Sequence, residues 1–182
     1  GDTGKGAMAA AEEIARCAME KLHAFTDSSY GDCKLSRRST SGHVMMMRGG
    51  PISWRSALQK CVTLSACEAE YVACCHCVRD VVCMRKLASE LEIKDVEIET
   101  AVYMDNASAI FVSNNPECSR SVRHIEVGHH HVKEKVADNN MKMCHIPSAE
   151  NIADLFTKPL TSAVFWKFVQ MFLSVPGNGN DN

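Results

Sequence analysis

Four acidic residues stand where they could act together. Asp27 closes the apolar run LHAFT, Asp105 closes VYM, Glu70 lies in LSACEAEYVA, and Asp154 follows Pro147 by a few residues. Acids at strand ends collect at the carboxyl edge of an α/β sheet, where ligands bind. Gathered carboxylates repel one another unless divalent cations lie between them. Mg²⁺ favours one or two carboxylates completed by waters and phosphate oxygens. A cluster of four therefore predicts metal-dependent phosphoryl chemistry. Each acid alone reads more readily as a solvated surface group or a turn cap, the commoner state of such residues; only the constellation carries the expectation.

The two glutamates near the start of the same helical segment have separable roles. Ser65 followed by Glu68 forms a capping box, in which Ser65 caps the helix and Glu68 is expected to reach back to the Ser65 amide. Glu70 lies beside the apolar stripe of Cys74, Val78 and Val81, so it is expected to face the strand ends that carry the aspartates.

The elements that must position these acids follow from periodicity. Residues 22–29 read as a strand, residues 43–48 as a second, and ISWRSAL as its hairpin partner after a turn at Gly49, Gly50 and Pro51. From residue 66 to 91 the repeat becomes helical, through Tyr71, Cys75, Val78, Val82, Leu87 and Leu91. Residues 96–104 alternate as a strand, residues 107–113 form a short helix stopped by Asn114, Asn115 and Pro116, and residues 126–137 look helical again. Residues 141–146 make a short strand. Ser148 is expected to cap a helix through about residue 156, and an apolar helix covers residues 162–173. A meander followed by alternating strands and helices indicates a mixed sheet covered by helices. The chain divides into an N-terminal extension over 1–21, with a helix expected over about 8–22, a central domain over 22–160, an apolar helix over 161–175 and a disordered tail over 176–182.

The chain has 182 residues, with 20 Lys and Arg against 22 Asp and Glu, and 46% hydrophobic residues. That suits one globular domain with extensions and excludes whole-chain disorder. No run reaches the roughly 18 apolar residues of a membrane span, and the start lacks a signal-peptide pattern; an intracellular, cytoplasmic protein is expected. Of the 10 cysteines, Cys67, Cys74, Cys75, Cys77 and Cys83 crowd one segment rather than being spaced as a disulfide framework, and reduced thiols are expected. The opening GDTGKG lacks the glycine spacing and the Ser or Thr of a phosphate loop. CCHC at 74–77 cannot supply tetrahedral zinc ligands from consecutive helical positions. Residues 31–60 are basic, with Lys34, Arg37, Arg38, Arg48, Arg55 and Lys60 against Asp32, and could hold nucleic-acid phosphates or simply form a solvated hairpin.

The segments FTDSS, RRSTSGHV, GGPISWRS, LSACEAEYVA, MDNASAI, RHIEVGHHHVKEKV and NIADLFTKPL occur in one order. In this order the chain resembles, over about residues 24–160, the ribonuclease H domain of copia-type LTR retrotransposon polyproteins. The resemblance implies a ribonuclease H-like α/β fold with a five-stranded mixed sheet flanked by helices. It implies hydrolysis of the RNA strand of RNA–DNA hybrids during reverse transcription, with the family's acidic quartet on Asp27, Glu70, Asp105 and Asp154. Two Mg²⁺ ions, replaceable by Mn²⁺, would serve: one activates water, the other stabilises the leaving oxygen, about 3.5 to 4 Å apart. By resemblance Asp27 bridges both ions, Asp154 holds the water-activating one, and Glu70 and Asp105 hold the other. Arg37, Arg38, Ser65 and Asn106 are expected to touch the nucleic acid. An upstream reverse transcriptase domain of the same polyprotein is the expected partner, with a virus-like particle as the setting if the element is active. No membrane is expected.

Cellular ribonucleases H often place a histidine on a loop before the last acid. Here Pro147 and Asp154 are too close to leave that loop, and His145 belongs to the strand. His124 and His130 match a family HIxxxxH pattern and are expected to serve packing. The chain departs from the family at Ala66 and Cys67, where Ser and Thr are usual, and at Ala107, where Gln is usual. Those positions lie near the minor groove by resemblance, so weak substrate grip is expected. Two other readings compete: a nonenzymatic nucleic-acid-binding or assembly module of the same fold, decayed or domesticated, and a related nuclease such as an integrase, which would share the acids but not LSACEAEYVA or NIADLFTKPL.

Overall fold

A computed structural model describes residues 21–93, 99–114, 132, 134–136, 138 and 141–173. The GDTGKG segment, most of the 8–22 helix, the start of the 96–104 strand, His124, the three histidines at 129–131 and the tail lie outside these residues, as does most of the 126–137 helix.

Strand β1 (His23–Ser29) pairs antiparallel with β2 (Thr40–Met47), which pairs antiparallel with β3 (Gly50–Leu58). On its other side β1 pairs parallel with β4 (Thr100–Met104), which pairs parallel with β5 (Met141–His145). The sheet has 5 strands in the order β3-β2-β1-β4-β5. Successive side chains of the central strands enter opposite cores. Ala24, Met45, Val102 and Met104 pack on one face beneath α1 (Ala66–Glu90) and α2 (Ala107–Asn114). Phe25, Val44, Met46 and Tyr103 pack on the other with Ile152 and with Phe168 of α3 (Ser162–Leu173). Burial on both faces explains why β1 and β2 read as nearly continuous apolar runs.

The β2–β3 turn lies one step earlier than the sequence suggests. Arg48 and Gly49 both have positive φ, 50° and 78°, as a two-residue hairpin turn of primed type requires, and Gly50 already belongs to β3. Pro51 follows within this edge strand, where a register shift between Met45 and Met46 accommodates it.

Helix α1 buries Tyr71, Cys74, Cys75, Cys77, Val78 and Val81, but Leu87 and Leu91, expected on the same stripe, are exposed. The crowded cysteines among the described residues are free thiols, as expected. Several fill the core under α1, and burial pushes the Cys74 thiol up to about 12. A polar contact also ties α1 to the sheet: buried His43 of β2 lies 3.3 Å from Asp80, which Arg55 of β3 approaches at 3.5 Å. Helix α3 is amphipathic rather than buried: Phe168 alone is fully enclosed, while Phe165 and Trp166 remain exposed.

The segment between β5 and α3 differs from the single helix expected from Ser148. It forms two short 3₁₀ turns, Ser148–Glu150 and Ile152–Phe156. Asn151 divides them: its Oδ1 accepts from the Ala153 amide at 3.2 Å and its Nδ2 donates to the Thr26 carbonyl at 3.0 Å. The second turn is thereby pinned to β1. Among the described residues no helix is long and apolar enough to cross a membrane.

Candidate metal centre

The parallel strands β1, β4 and β5 end at one edge of the sheet, and the chain turns there into the segments that carry the acids. Asp27 lies in β1, Asp105 directly follows β4, and Asp154 sits in the 3₁₀ turn after β5. Glu70 comes from the second turn of α1. Ser65 caps that helix by accepting the Glu68 amide at 3.1 Å, as expected. The Glu68 carboxylate, however, accepts from the Leu64 amide at 2.6 Å rather than from Ser65. Glu68 therefore secures the loop entering α1, and Glu70 points to the sheet edge.

Oxygens of Asp27, Glu70 and Asp105 all lie within 4.8 Å of one another. Glu70 Oε1 accepts from both the amide (3.1 Å) and the hydroxyl (3.0 Å) of Ser28, which fixes its orientation beside Asp27. Glu70 Oε2 is buried with no hydrogen-bond partner. At about 5 Å two carboxylates repel by roughly 3 kcal/mol at an effective dielectric constant of about 20. Burial, reinforced by Asp27, pushes the Glu70 carboxyl up to about 8. Burial likewise lifts Asp27 to about 7, against the opposing pull of Thr157 and Lys158. Burial thus disfavours the charged form of both acids. A divalent ion would remove that strain and satisfy the orphaned Glu70 oxygen, so these residues fit one.

Asp154 reaches the same edge but does not join the three converging oxygens. Its Oδ1 lies 2.8 Å from the Lys158 ammonium, which is also 3.8 Å from Asp27 Oδ2. Thr157 donates its hydroxyl to the same Asp27 oxygen, and Ser148 donates to Asp105. Burial pulls the Lys158 pKa down, but contact with Asp154 and Asp27 outweighs it and holds the ammonium above its ordinary value. Lys158 and Thr157 escaped the sequence reading, and Ser148 was expected there only as a helix cap. The i, i+4 spacing of Asp154 and Lys158 was the available signal for the first.

Gly42 was missed as well. It lies opposite Asp27 across the β1–β2 pair, and the 3₁₀ turn packs directly on it. A glycine inside a strand often marks such an approach of another backbone.

The expected nucleic-acid contacts separate by position. Lys34, Arg37 and Arg38 lie in the loop after β1 and Lys60 follows β3, all at the acidic edge by the register of β1, β2 and β3. Arg48 occupies the hairpin turn at the opposite end, and Arg55 is engaged by Asp80. Arg37 adopts a positive φ of 55°, and its amide donates to Cys33 at 2.7 Å. Asn106 is committed through Oδ1 to capping α2 at the Ala109 amide, 3.0 Å away, so nucleic-acid contact would fall to its NH₂ group. Ala66 and Ala107 are exposed and Cys67 is partly so. Among the described residues no second cluster of His, Cys, Asp and Glu converges as a metal site, and the CCHC segment forms none.

A five-stranded mixed sheet in the order 3-2-1-4-5, with acids gathered at the carboxyl edge of β1 and β4, defines a ribonuclease H-like fold. A ribonuclease H isolated from compost superposes with a TM-score of 0.55 at 20% identity, covering 76% of this chain and 94% of its own. A foamy viral protease–reverse transcriptase in complex with an RNA/DNA hybrid gives 0.52 at 12% identity, covering 77% of this chain and 20% of its own. No protein-family model matches the chain. The chain is homologous to one stretch of copia-type retrotransposon Pol polyproteins and has the ribonuclease H-like fold. It is 36% identical over 137 residues, 75% of its length, to the Pol polyprotein of transposon TNT 1-94 from Nicotiana tabacum, and 30% identical over 147 residues, 81% of its length, to that of transposon RE1 from Arabidopsis thaliana. The matched stretch spans 10% of each polyprotein.

Proposed function

We propose that the chain is a ribonuclease H that hydrolyses the RNA strand of RNA–DNA hybrids with two divalent metal ions, Mg²⁺ or Mn²⁺. The observation that carries this reading is the convergence of Asp27, Glu70 and Asp105 within 4.8 Å, with the buried Glu70 Oε2 left without a partner. Asp27, Glu70 and Asp105 would hold one ion, and Asp27 with Asp154 the other. Bound there, the ions would lower the pKa of a water and neutralise charge developing on the phosphodiester oxygens. The protein's own part is positional. Ser28 orients Glu70, Thr157 holds Asp27 and Ser148 holds Asp105, so the carboxylates are set before substrate arrives. Lys34, Arg37, Arg38 and Lys60 would engage phosphates at the same edge, with Ser65 and Asn106 at the helix starts beside them. An upstream reverse transcriptase domain is the natural partner, since hybrid is the product of its reaction.

Incubating the purified chain with labelled RNA–DNA hybrid, duplex DNA and duplex RNA, in Mg²⁺ and in EDTA, tests the proposal. Cleavage of RNA in the hybrid alone, and only with metal, is the expected result. Binding of hybrid without cleavage at any metal concentration would favour the nonenzymatic module, and cleavage of duplex DNA would favour the integrase-like reading.

A further inference from the structure

The acidic edge is electrostatically lopsided. Among the described residues the ion pairs to the four acids come from the Lys158 ammonium and fall on Asp27 and Asp154, whereas none falls on Glu70 or Asp105. We propose that Lys158 is an internal cation that holds this flank in the metal-free protein and competes there with the second divalent ion. The inference rests on the reading that these acids bind metal.

Several features carry it. The ammonium contacts the two carboxylates assigned to the second ion, at 2.8 Å and 3.8 Å. Both aspartate side chains are nearly enclosed, 3% and 9% exposed, so a positive charge between them is strongly felt, whereas the lysine side chain is 38% exposed and can swing outward. Asp27 need not move when the lysine leaves, because Thr157 donates to the same oxygen independently. The ions should therefore load in order: the first at Asp27, Glu70 and Asp105, the second only where Lys158 has vacated Asp154. A phosphate group of bound nucleic acid offers the displaced ammonium another anion, which would couple second-ion loading to substrate.

Titration of the full chain with Mn²⁺, read by the electron paramagnetic resonance of free ion, tests this without an activity assay. If the flank is open about one tenth of the time, the second site is weakened about tenfold. Lys158→Met should then tighten the second site by about that factor and change the first far less. Lys158→Gln gives the same comparison if the Met variant folds poorly. In EDTA the variant should melt below the native chain, and saturating Mn²⁺ should erase the difference; a merely structural lysine would leave it in both conditions. Two Mn²⁺ sites whose affinities do not respond to either variant would overturn the role of Lys158 while leaving metal binding intact. A native chain that binds no Mn²⁺, like an Asp105→Asn control lacking the first site, would overturn the metal reading and this inference with it.

Discussion

Gly42 is the cross-strand partner of Asp27, and its missing side chain is what lets the turn bearing Asp154 lie against the sheet. A Cβ at this position would stand 2.6 Å from Thr157 Cγ2 and 2.8 Å from Phe156 Cβ, both closer than atoms pack. The gap is filled by the residue that donates to Asp27 and by its chain neighbour. The spacing of Asp27, Thr157 and Asp154 thus depends on a hydrogen atom in β2.

Gly42→Ala should push the turn away from β1. Overpacking of this kind costs about 1 to 3 kcal/mol, and the hydrogen bond from Thr157 should be lost with it. Denaturant melts should show that loss, and the Mg²⁺ concentration needed for half-maximal cleavage should rise. A variant with native stability and native metal dependence would show that the turn tolerates displacement.

The two glutamates of α1 should separate experimentally. Glu68→Ala removes the bond to the Leu64 amide and should cost about 0.5 to 2 kcal/mol, the range for lost helix caps, while cleavage survives. Glu70→Gln should abolish cleavage and leave the fold intact, because Gln keeps an oxygen that can accept from Ser28 but cannot serve as an anionic ligand. Melting curves and rates showing the opposite pattern would reverse the assignment.

Stability should depend on pH in a direction set by the raised acids. Asp27 and Glu70 ordinarily titrate near 3.8 and 4.5 but in the fold near 7 and 8. The native state therefore binds these protons more tightly than the unfolded chain, and their contribution to stability declines as pH rises from about 4 to 8. His43, held down at about 4 by burial from its ordinary 6.5, acts oppositely below pH 6.5. Between pH 6.5 and 8 the acids dominate. In EDTA the melting temperature should fall across that window, and the upshift caused by Mg²⁺ should grow. A flat profile in EDTA would contradict the burial of ionisable carboxyls.

The restored triple variant Ala66→Ser, Cys67→Thr, Ala107→Gln should lower KM for hybrid more than it raises kcat. The three native side chains lie at the starts of α1 and α2, where Ala66 and Ala107 are open to solvent and offer no side-chain hydrogen bond. Steady-state kinetics with unchanged KM, in a folded protein, would defeat this.

Much of the architecture was legible because it rests on local patterns. The apolar runs before Asp27 and Asp105 mark strands, the cap at Ser65 sets the start of α1, and the change from alternating to helical period marks the passage from meander to α1. What escaped depends on contacts remote in sequence. Ser148 reads as a helix cap, yet its hydroxyl is taken by Asp105, and Asn151 interrupts the expected helix by reaching across to Thr26. Glu68 satisfies the amide one residue earlier than the capping-box pattern suggests. Gly42 and Lys158 gain their meaning only once the 3₁₀ turn is seated against β1 and β2. No periodicity reports that contact.

The most direct measurement is single-turnover cleavage of a hybrid labelled on its RNA strand, by the native chain and by Asp105→Asn, with hybrid binding followed in the same samples. The account predicts that both proteins bind the hybrid and that only the native chain, with Mg²⁺ or Mn²⁺, cuts the RNA. A folded, metal-supplied native chain that binds hybrid and leaves the RNA intact, or an Asp105→Asn chain that cuts as fast as its parent, would contradict it.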